Sequence, residues 1–306
     1  MIAGCVDTLY CPHCSRTLSA TEQGFHCENC QYLFPVVDGI VSLMTEEGNQ
    51  DGFHPEVFEL LSRAEASYFW FIGRREIIVE TLKRQIPQLA GRCMLEIGCG
   101  HGSLLDYLGQ ETPLMLAGAD MFLEGLRLSR QRLQVPLYQV NATQLPFRNC
   151  FDVIGLFDML EHADDDGQVL RECWKALGTQ GRLMLTVPAF RALWSPFDEL
   201  SCHKRRYTRP ELVKKLADAG FIIDRLSYFM CVLFPVVYCA RVVKRWIIPS
   251  RGSVLEQLAT ELRIPPLING ACLHILRFER WLMRYIDLPW GVSLLVVARK
   301  QERGAA

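Results

Sequence analysis

No stretch of this 306-residue chain reaches the ~18 uncharged apolar residues that a membrane-spanning helix needs. The first residues, Met-Ile-Ala-Gly-Cys-Val-Asp, lack a basic segment followed by an apolar one, so no secretory signal is expected. Charge of one sign is also missing: 33 basic residues face 34 acidic ones, a formal net of −1. A polyanionic partner such as nucleic acid would therefore need a local basic patch. Apolar residues are plentiful, 50% of the chain against 22% charged, which excludes wholesale disorder. That length and core suit one large domain with an appendage, or two domains. The 13 cysteines are odd in number and mostly scattered singly. This fits a reducing, cytoplasmic setting in which only the patterned cysteines bind metal.

The pattern lies in residues 1–50. Cys11-Pro-His-Cys14 and Cys27-Glu-Asn-Cys30 are two C-x-x-C pairs separated by twelve residues. Four thiolates on two tight turns make a closed tetrahedral zinc site with no position left for water, hence structural. A segment this small cannot bury a sufficient core unaided. Tyr32 to Met44 alternates and turns at Asp38-Gly39, as a hairpin does, and Glu46 to Asp51 reads as a linker. Pro55 to Arg63 and Tyr68 to Gln85 carry helical spacing. Within the second, Tyr68-Phe-Trp70-Phe and Arg74-Arg75 read either as a face packed on a sheet or as a lid over a ligand.

At residues 93–103 the apolar run Cys93 to Ile97 reads as a buried parallel strand. It ends in Gly98-x-Gly100-x-Gly102 and then a helix, the way an open α/β sheet brings bare backbone against a nucleotide-sized ligand. Leu114 to Ala119 is a second strand ending on Asp120, placed to accept from ribose hydroxyls. Two features depart from a dinucleotide fingerprint: Ser103 stands where a glycine is wanted, and Glu96 precedes the turn. An acid there suits a ligand carrying positive charge and repels a pyrophosphate. Glu96-x-Gly98-x-Gly100-x-Gly102 with Asp120 resembles the class I S-adenosylmethionine-dependent methyltransferases. The resemblance implies a doubly wound, seven-stranded Rossmann-like α/β sheet with its last strand antiparallel. It also implies cofactor contacts from Met121, from Asn141-Ala142 after the third strand (Leu137 to Val140), and from Phe157 ending the fourth (Phe151 to Phe157). Asn141 replaces the usual acid facing the adenine and would accept through its side-chain carbonyl. The knuckles followed by Phe-Pro-Val-Val-Asp-Gly-Ile resemble the small zinc-ribbon module that precedes or partners some methyltransferases.

The reacting face is expected beyond the fourth and fifth strands (the fifth being Gly181 to Val187). Asp158, Glu161 and His162 share one face if a helix begins there. That face suits a divalent metal, with His203 as a further ligand; the alternative is a capped helix start with Glu161 solvated or facing the cofactor. A long loop then carries Trp194 and His203-Lys-Arg205-Arg206-Tyr-Thr208. His203 is read as a general base, and Arg205 and Arg206, with Trp70, Arg74 and Trp194, as acceptor contacts. Thr208 and Glu211 form a capping box. Residues 228–290 interrupt the sixth (Phe221 to Ser227) and seventh (Gly291 to Ala298) strands as a helical insertion in the domain 51–306. The insertion carries eight basic residues against four acids. Its segment 229–246 reads as a peripheral contact with the inner membrane face, or as a lid or dimer interface. The expected function is O-methylation of a small, anionic or lipid-linked acceptor. The alternatives are an RNA methyltransferase using the ribbon, or a non-catalytic partner protein. Oligomeric state is not legible.

Overall fold

Cys93–Ile97 (β5) is buried along its whole length because it pairs in parallel on both sides, with β6 (Met115–Asp120) and β8 (Phe151–Phe157). A strand covered on both edges and both faces has to be apolar throughout. Its one acid, Glu96, lies in register with Gly118 on one side and Gly155 on the other. Neither neighbour therefore sets a side chain against that carboxyl. The computed structural model describes residues 8–44, 64–247 and 263–301. The expected helix Pro55 to Arg63 and linker Glu46 to Asp51 fall outside them, as does part of the insertion.

From β5 the sheet runs outward through β6 to β7 (Leu137–Gln139), and on the other side through β8 to β9 (Leu177–Pro188), β11 (Ser293–Lys300) and β10 (Phe221–Phe229). β11 lies antiparallel to both its neighbours, while the rest of this set is parallel. This is the seven-stranded arrangement, with its last strand antiparallel, that the resemblance implied. Helices α1 (Phe69–Gln85), α2 (Ser103–Glu111), α3 (Leu123–Arg132) and α4 (Asp166–Ala176) pack on it. Two short or capped helices follow, α5 (Pro196–Leu200) and α6 (Arg209–Asp218), the latter opened by the expected Thr208/Glu211 capping box.

The ribbon continues the sheet. Its strands β1 (Ser19–Thr21), β2 (Gly24–Cys27), β3 (Tyr32–Val37) and β4 (Ile40–Ser42) form an antiparallel meander, and β4 then pairs in parallel with β7. One 11-stranded sheet results. The physical reason is the edge of β7, whose backbone groups need a partner. Leu43 N–H donates to the Gln139 carbonyl at 2.8 Å and Tyr10 N–H to the Pro146 carbonyl at 2.9 Å. Leu9, Phe34, Ile40 and Leu43 bury their side chains in the same core as the sheet. Arg127 pairs with Asp38 at 2.9 Å, and Arg130 donates to the Gly39 carbonyl, pinning the hairpin turn to α3.

The insertion supplies α7 (Phe234–Ile247) and α8 (Pro266–Leu282). α8 lies on α1. A Cβ at Gly73 would stand 2.5 Å from Leu276 Cδ1, so the missing side chain is what allows the approach. Arg277 and Arg280 fork onto Glu76 at 2.7 and 2.9 Å, Arg284 meets Glu80 at 3.0 Å, and Asn269 accepts from Phe69 N–H. Three of the insertion's basic residues are thus consumed inside the fold. Several of its apolar residues are not: Val236, Leu267, Phe278 and Tyr285 are all more than half exposed. No helix among the described residues is long and apolar enough to cross a membrane.

Candidate active site

Gly98, Gly100 and Gly102 all adopt left-handed φ, at +80°, +52° and +78°. A Cβ at Gly98 would sit 2.5 Å from Met159 Cγ, and one at Gly102 would sit 2.7 Å from Ser129 Oγ. Conformation and space therefore both demand glycine at these two positions. The loop wraps the end of β6. Asp120 accepts from Gly100 N–H at 2.8 Å and Phe122 N–H at 2.9 Å, and Ser129 donates to the Gly100 carbonyl. Burial raises the Asp120 carboxyl, and these two N–H groups work against the rise. Glu96 is 4% exposed and its Oε2 has no hydrogen-bond partner among the described residues. Burial pushes its carboxyl up to about 8; the charge of Arg74 opposes this, and those of Glu65 and Asp120 add to it.

The remaining expected donor-side residues fall as follows. Asn141 Oδ1 is committed to Thr143, whose N–H and hydroxyl donate to it at 2.9 and 2.8 Å. The expectation that Asn141 accepts through this carbonyl is therefore corrected: both lone pairs are taken by a local turn, and its amide N–H₂ is what remains to offer. Ala142 is buried, and Met121 is exposed at the rim with its carbonyl accepting from Gln139. Phe157 buries its ring over the face at Gly155, so only its backbone is free to border a ligand. Glu65, which carries no motif in the sequence, meets His101 Nε2 at 3.0 Å directly over the glycine loop.

On the side expected to react, Asp158 follows β8 with φ +52°, and a 3-10 turn, Leu160–His162, replaces the helix expected there. Asp158 accepts from Thr186 at 3.0 Å and pairs with Arg74, which reaches down from α1 over the Trp70 ring. Glu161 and His162 meet His203, 41 residues onward. The three place one ligand atom each within 4.8 Å of one another. Asp158, paired with Arg74, is not one of these three, although its charge bears on Glu161, whereas the sequence grouped all four. Glu161 is fully buried; burial and the Asp158 charge push its carboxyl well above the usual range. Burial and the nearby His203 push His162 down to about 4.

Asp198 organises the long loop. Its carboxylate accepts from Ser195 N–H at 2.8 Å, His203 Nδ1 at 2.9 Å and Arg206 Nε at 2.7 Å, with Arg206 Nη2 at 3.0 Å on the other oxygen. Burial alone would raise this carboxyl, but the His203 hydrogen bond and Arg206 charge outweigh it and hold it well below the ordinary range. Arg206 is thus buried in a structural fork and is not an acceptor clamp. Arg205 is likewise engaged, with Asp166 at 3.0 Å and the Asp164 carbonyl at 2.9 Å. Trp194 donates to Glu199 at 3.3 Å. The Ser195-x-x-Asp198 capping box was the available sign of Asp198's role.

At the other end of the sheet, the Sγ atoms of Cys11 and Cys30 lie 3.9 Å apart and those of Cys14 and Cys27 lie 3.6 Å apart. A tetrahedron of ~2.3 Å zinc–sulfur bonds has edges of about 3.8 Å, so these two separations suit zinc, and all four thiols lie within 4.8 Å of one another.

Residues 95–185 match the family described as "Methyltransferase domain". A protein of Mycobacterium tuberculosis named "Probable S-adenosylmethionine-dependent methyltransferase" is 32% identical over 171 residues, covering 54% of this chain and 59% of that one. The malonyl-[acyl-carrier protein] O-methyltransferase of Herminiimonas arsenicoxydans is 29% identical over 207 residues, 66% of this chain and 74% of that one. The chain thus spans about six-tenths of the length of the first of these curated relatives. Among solved structures, a chain from the complex of the Haloferax volcanii Trm112 methyltransferase activator superposes with a TM-score of 0.54 at 15% identity. It covers 80% of this chain and 97% of that one, a likeness of fold alone.

Proposed function

We propose that this chain, which carries a methyltransferase domain, transfers the methyl group of S-adenosylmethionine to an oxygen of a small or lipid-linked acceptor. The observation that carries the donor half is Glu96. It is a buried carboxyl beside a glycine turn, set between two glycines, with an oxygen lacking any partner. A cationic ligand answers that need, and a pyrophosphate does not. S-adenosylmethionine supplies an electrophilic methyl on a sulfonium, together with an ammonium for Glu96. Asp120, with lone pairs left beyond its two backbone bonds, takes the ribose hydroxyls. Met121, Asn141, Ala142 and the Phe157 backbone border the adenosine.

Around the acceptor, the residues hold and move a proton. Asp198 fixes His203 through Nδ1, so Nε2 faces the cluster and accepts the acceptor's proton as its oxygen is methylated. The imidazolium formed is stabilised by Asp198. Trp70 and Arg74 close the site from α1. The anionic part of the expected acceptor loses its carriers, because Arg205 and Arg206 are engaged within the fold. The exposed apolar residues of α7 and α8 support a lipid-linked acceptor. An oxygen acceptor on a carrier-linked molecule, as in the name of the Herminiimonas relative, agrees with this reading. The zinc expected at Cys11, Cys14, Cys27 and Cys30 has a structural role in it, holding β4 against the sheet.

Calorimetric titration with S-adenosylmethionine tests the donor half; absence of binding at hundreds of micromolar ends the proposal and favours a non-catalytic partner protein. Incubation with labelled cofactor and fractionated extract tests the acceptor half. Label recovered in RNA, or as an N-methyl product, refutes the oxygen acceptor.

A further inference from the structure

Beyond methyl transfer, Glu161, His162 and His203 form a second polar cluster, in which the Glu161 carboxyl is left unanswered by any side chain among the described residues. Both its side-chain oxygens are buried without a hydrogen-bond partner among the described residues. His203 Nε2 stands 3.9 Å from Oε1, beyond hydrogen-bond reach but on the scale of two ligands sharing one ion. Buried carboxyls are ordinarily satisfied by the fold, and this chain does so elsewhere: Glu279 accepts from two backbone N–H groups and Asp166 from Tyr207 and Lys215.

We propose that Glu161, His162 and His203 bind a divalent transition-metal ion, distinct from the four-cysteine zinc, with open positions facing the acceptor. One carboxylate and two imidazoles are a mixed oxygen–nitrogen set. It favours ions such as zinc, iron, cobalt or manganese over magnesium and calcium, which take oxygen alone. Three protein ligands leave coordination positions free, as catalytic rather than structural sites do. The set is also oriented from behind. Asp198 engages His203 Nδ1, leaving Nε2 for the ion, and Arg206 in turn holds Asp198. The backbone carbonyls of Asp158 and Cys202 lie against the His162 ring. Metal-bound histidines are held in this way by carboxylates and carbonyls on their other nitrogen. Glu161 is itself fixed by Lys204 N–H on its backbone carbonyl at 2.9 Å, which ties the 3-10 turn to the His203 loop.

The ion's role rests on the methyl-transfer reading: it would bind the acceptor hydroxyl and acidify it so that its proton passes to bulk water, with His203 Nε2 then a ligand in place of a base. Its binding does not rest on that reading. The test uses the full chain with zinc retained in the ribbon, cleared of weakly held metal, and titrated with cobalt(II). The expected result is one cobalt per chain beside one zinc by elemental analysis. Weak visible bands without sulfur charge transfer should accompany it. Glu161→Gln and His162→Asn should each weaken cobalt binding more than about tenfold at unchanged zinc content and melting behaviour. No cobalt beyond the ribbon, or unchanged affinity in both variants, overturns the site. If Glu161→Gln fails to fold, His162→Asn decides alone. Calorimetry with S-adenosylmethionine on the same samples separates the two proposals. Cofactor binding without cobalt binding sinks the metal site only, whereas cobalt binding without cofactor binding sinks methyl transfer only.

Discussion

If Glu96 holds the donor as proposed, S-adenosylmethionine binding should be a proton-linked event. Burial holds its carboxyl near 8 in the free protein. At pH 7 it is therefore about 90% protonated, by the ordinary titration relation. A bound ammonium or sulfonium favours the carboxylate, so binding should expel ~0.8 proton per site at pH 7 if the bound pKa drops below about 6. Affinity should rise with pH by up to about tenfold per unit between pH 6 and 7, a window in which the ligand's α-amino group stays mostly charged. Calorimetry at pH 7 in buffers of different ionisation enthalpy measures the proton directly. Glu96→Gln should abolish both the release and the pH dependence, and bind less tightly. Stability carries the opposite sign. The native pKa lies above the unfolded one, so the Glu96 contribution is fully present below pH 4.5 and is lost as pH rises toward 8. The loss is on the order of a few kcal/mol. Glu96→Gln should then melt higher than the parent at pH 8 and alike near pH 4.5. A parent protein with no buffer-dependent heat, or a glutamine variant releasing the same proton, would refute the reasoning.

Removing zinc with a strong chelator should strip exchange protection from the amides of residues 32–43 while those of β5, β8 and β9 stay protected. Hydrogen exchange reads this, and protection retained throughout would show that β4 holds to β7 without metal. Asp198→Asn leaves Arg206 buried without its counter-charge and should cost roughly 3 kcal/mol in urea unfolding, with loss of methyl transfer. A cost under ~1 kcal/mol, the scale of an exposed ion pair, would deny Asp198 its organising place. Gly73→Val drives a branched side chain into Leu276 and should destabilise by about 1–3 kcal/mol, chiefly by parting α8 from α1. Unchanged urea unfolding would mean that contact is slack. Asp120→Ala leaves Gly100 and Phe122 N–H groups without an acceptor. It should weaken S-adenosylmethionine at least tenfold by calorimetry, and unchanged affinity would remove the ribose role.

Period and turn chemistry made most of the sheet legible. β5 and β8 have the bounds that their apolar runs imply, and the hairpin reverses at Asp38 and Gly39, both with positive φ. The Thr208/Glu211 box opens α6 as expected. Other features had no local sign. β4 pairs with β7 across nearly a hundred residues, and a short strand of three residues says nothing of its partner. Arg205-Arg206 looks like an anion clamp in sequence. Its burial against Asp166 and Asp198 follows from a loop whose path no periodicity describes. The insertion's positive charge suggested a membrane face, yet Arg277, Arg280 and Arg284 answer Glu76 and Glu80 on α1.

The glycine turn with Glu96 and Asp120 is determined by the sequence alone because these parts of the proposed donor pocket lie within about 25 residues and depend on backbone conformation. Three left-handed positions admit glycine readily, and strand length sets Asp120 beside them. The four-thiol knuckle is local in the same way. The acceptor side belongs to tertiary structure. Which carboxylates and arginines neutralise each other, and which are left unanswered, depends on how distant segments close upon one another. Asp198 takes up Arg206 and His203, Arg74 takes up Asp158, and the Glu161 carboxyl is left buried beside two imidazoles with no hydrogen-bond partner among the described residues.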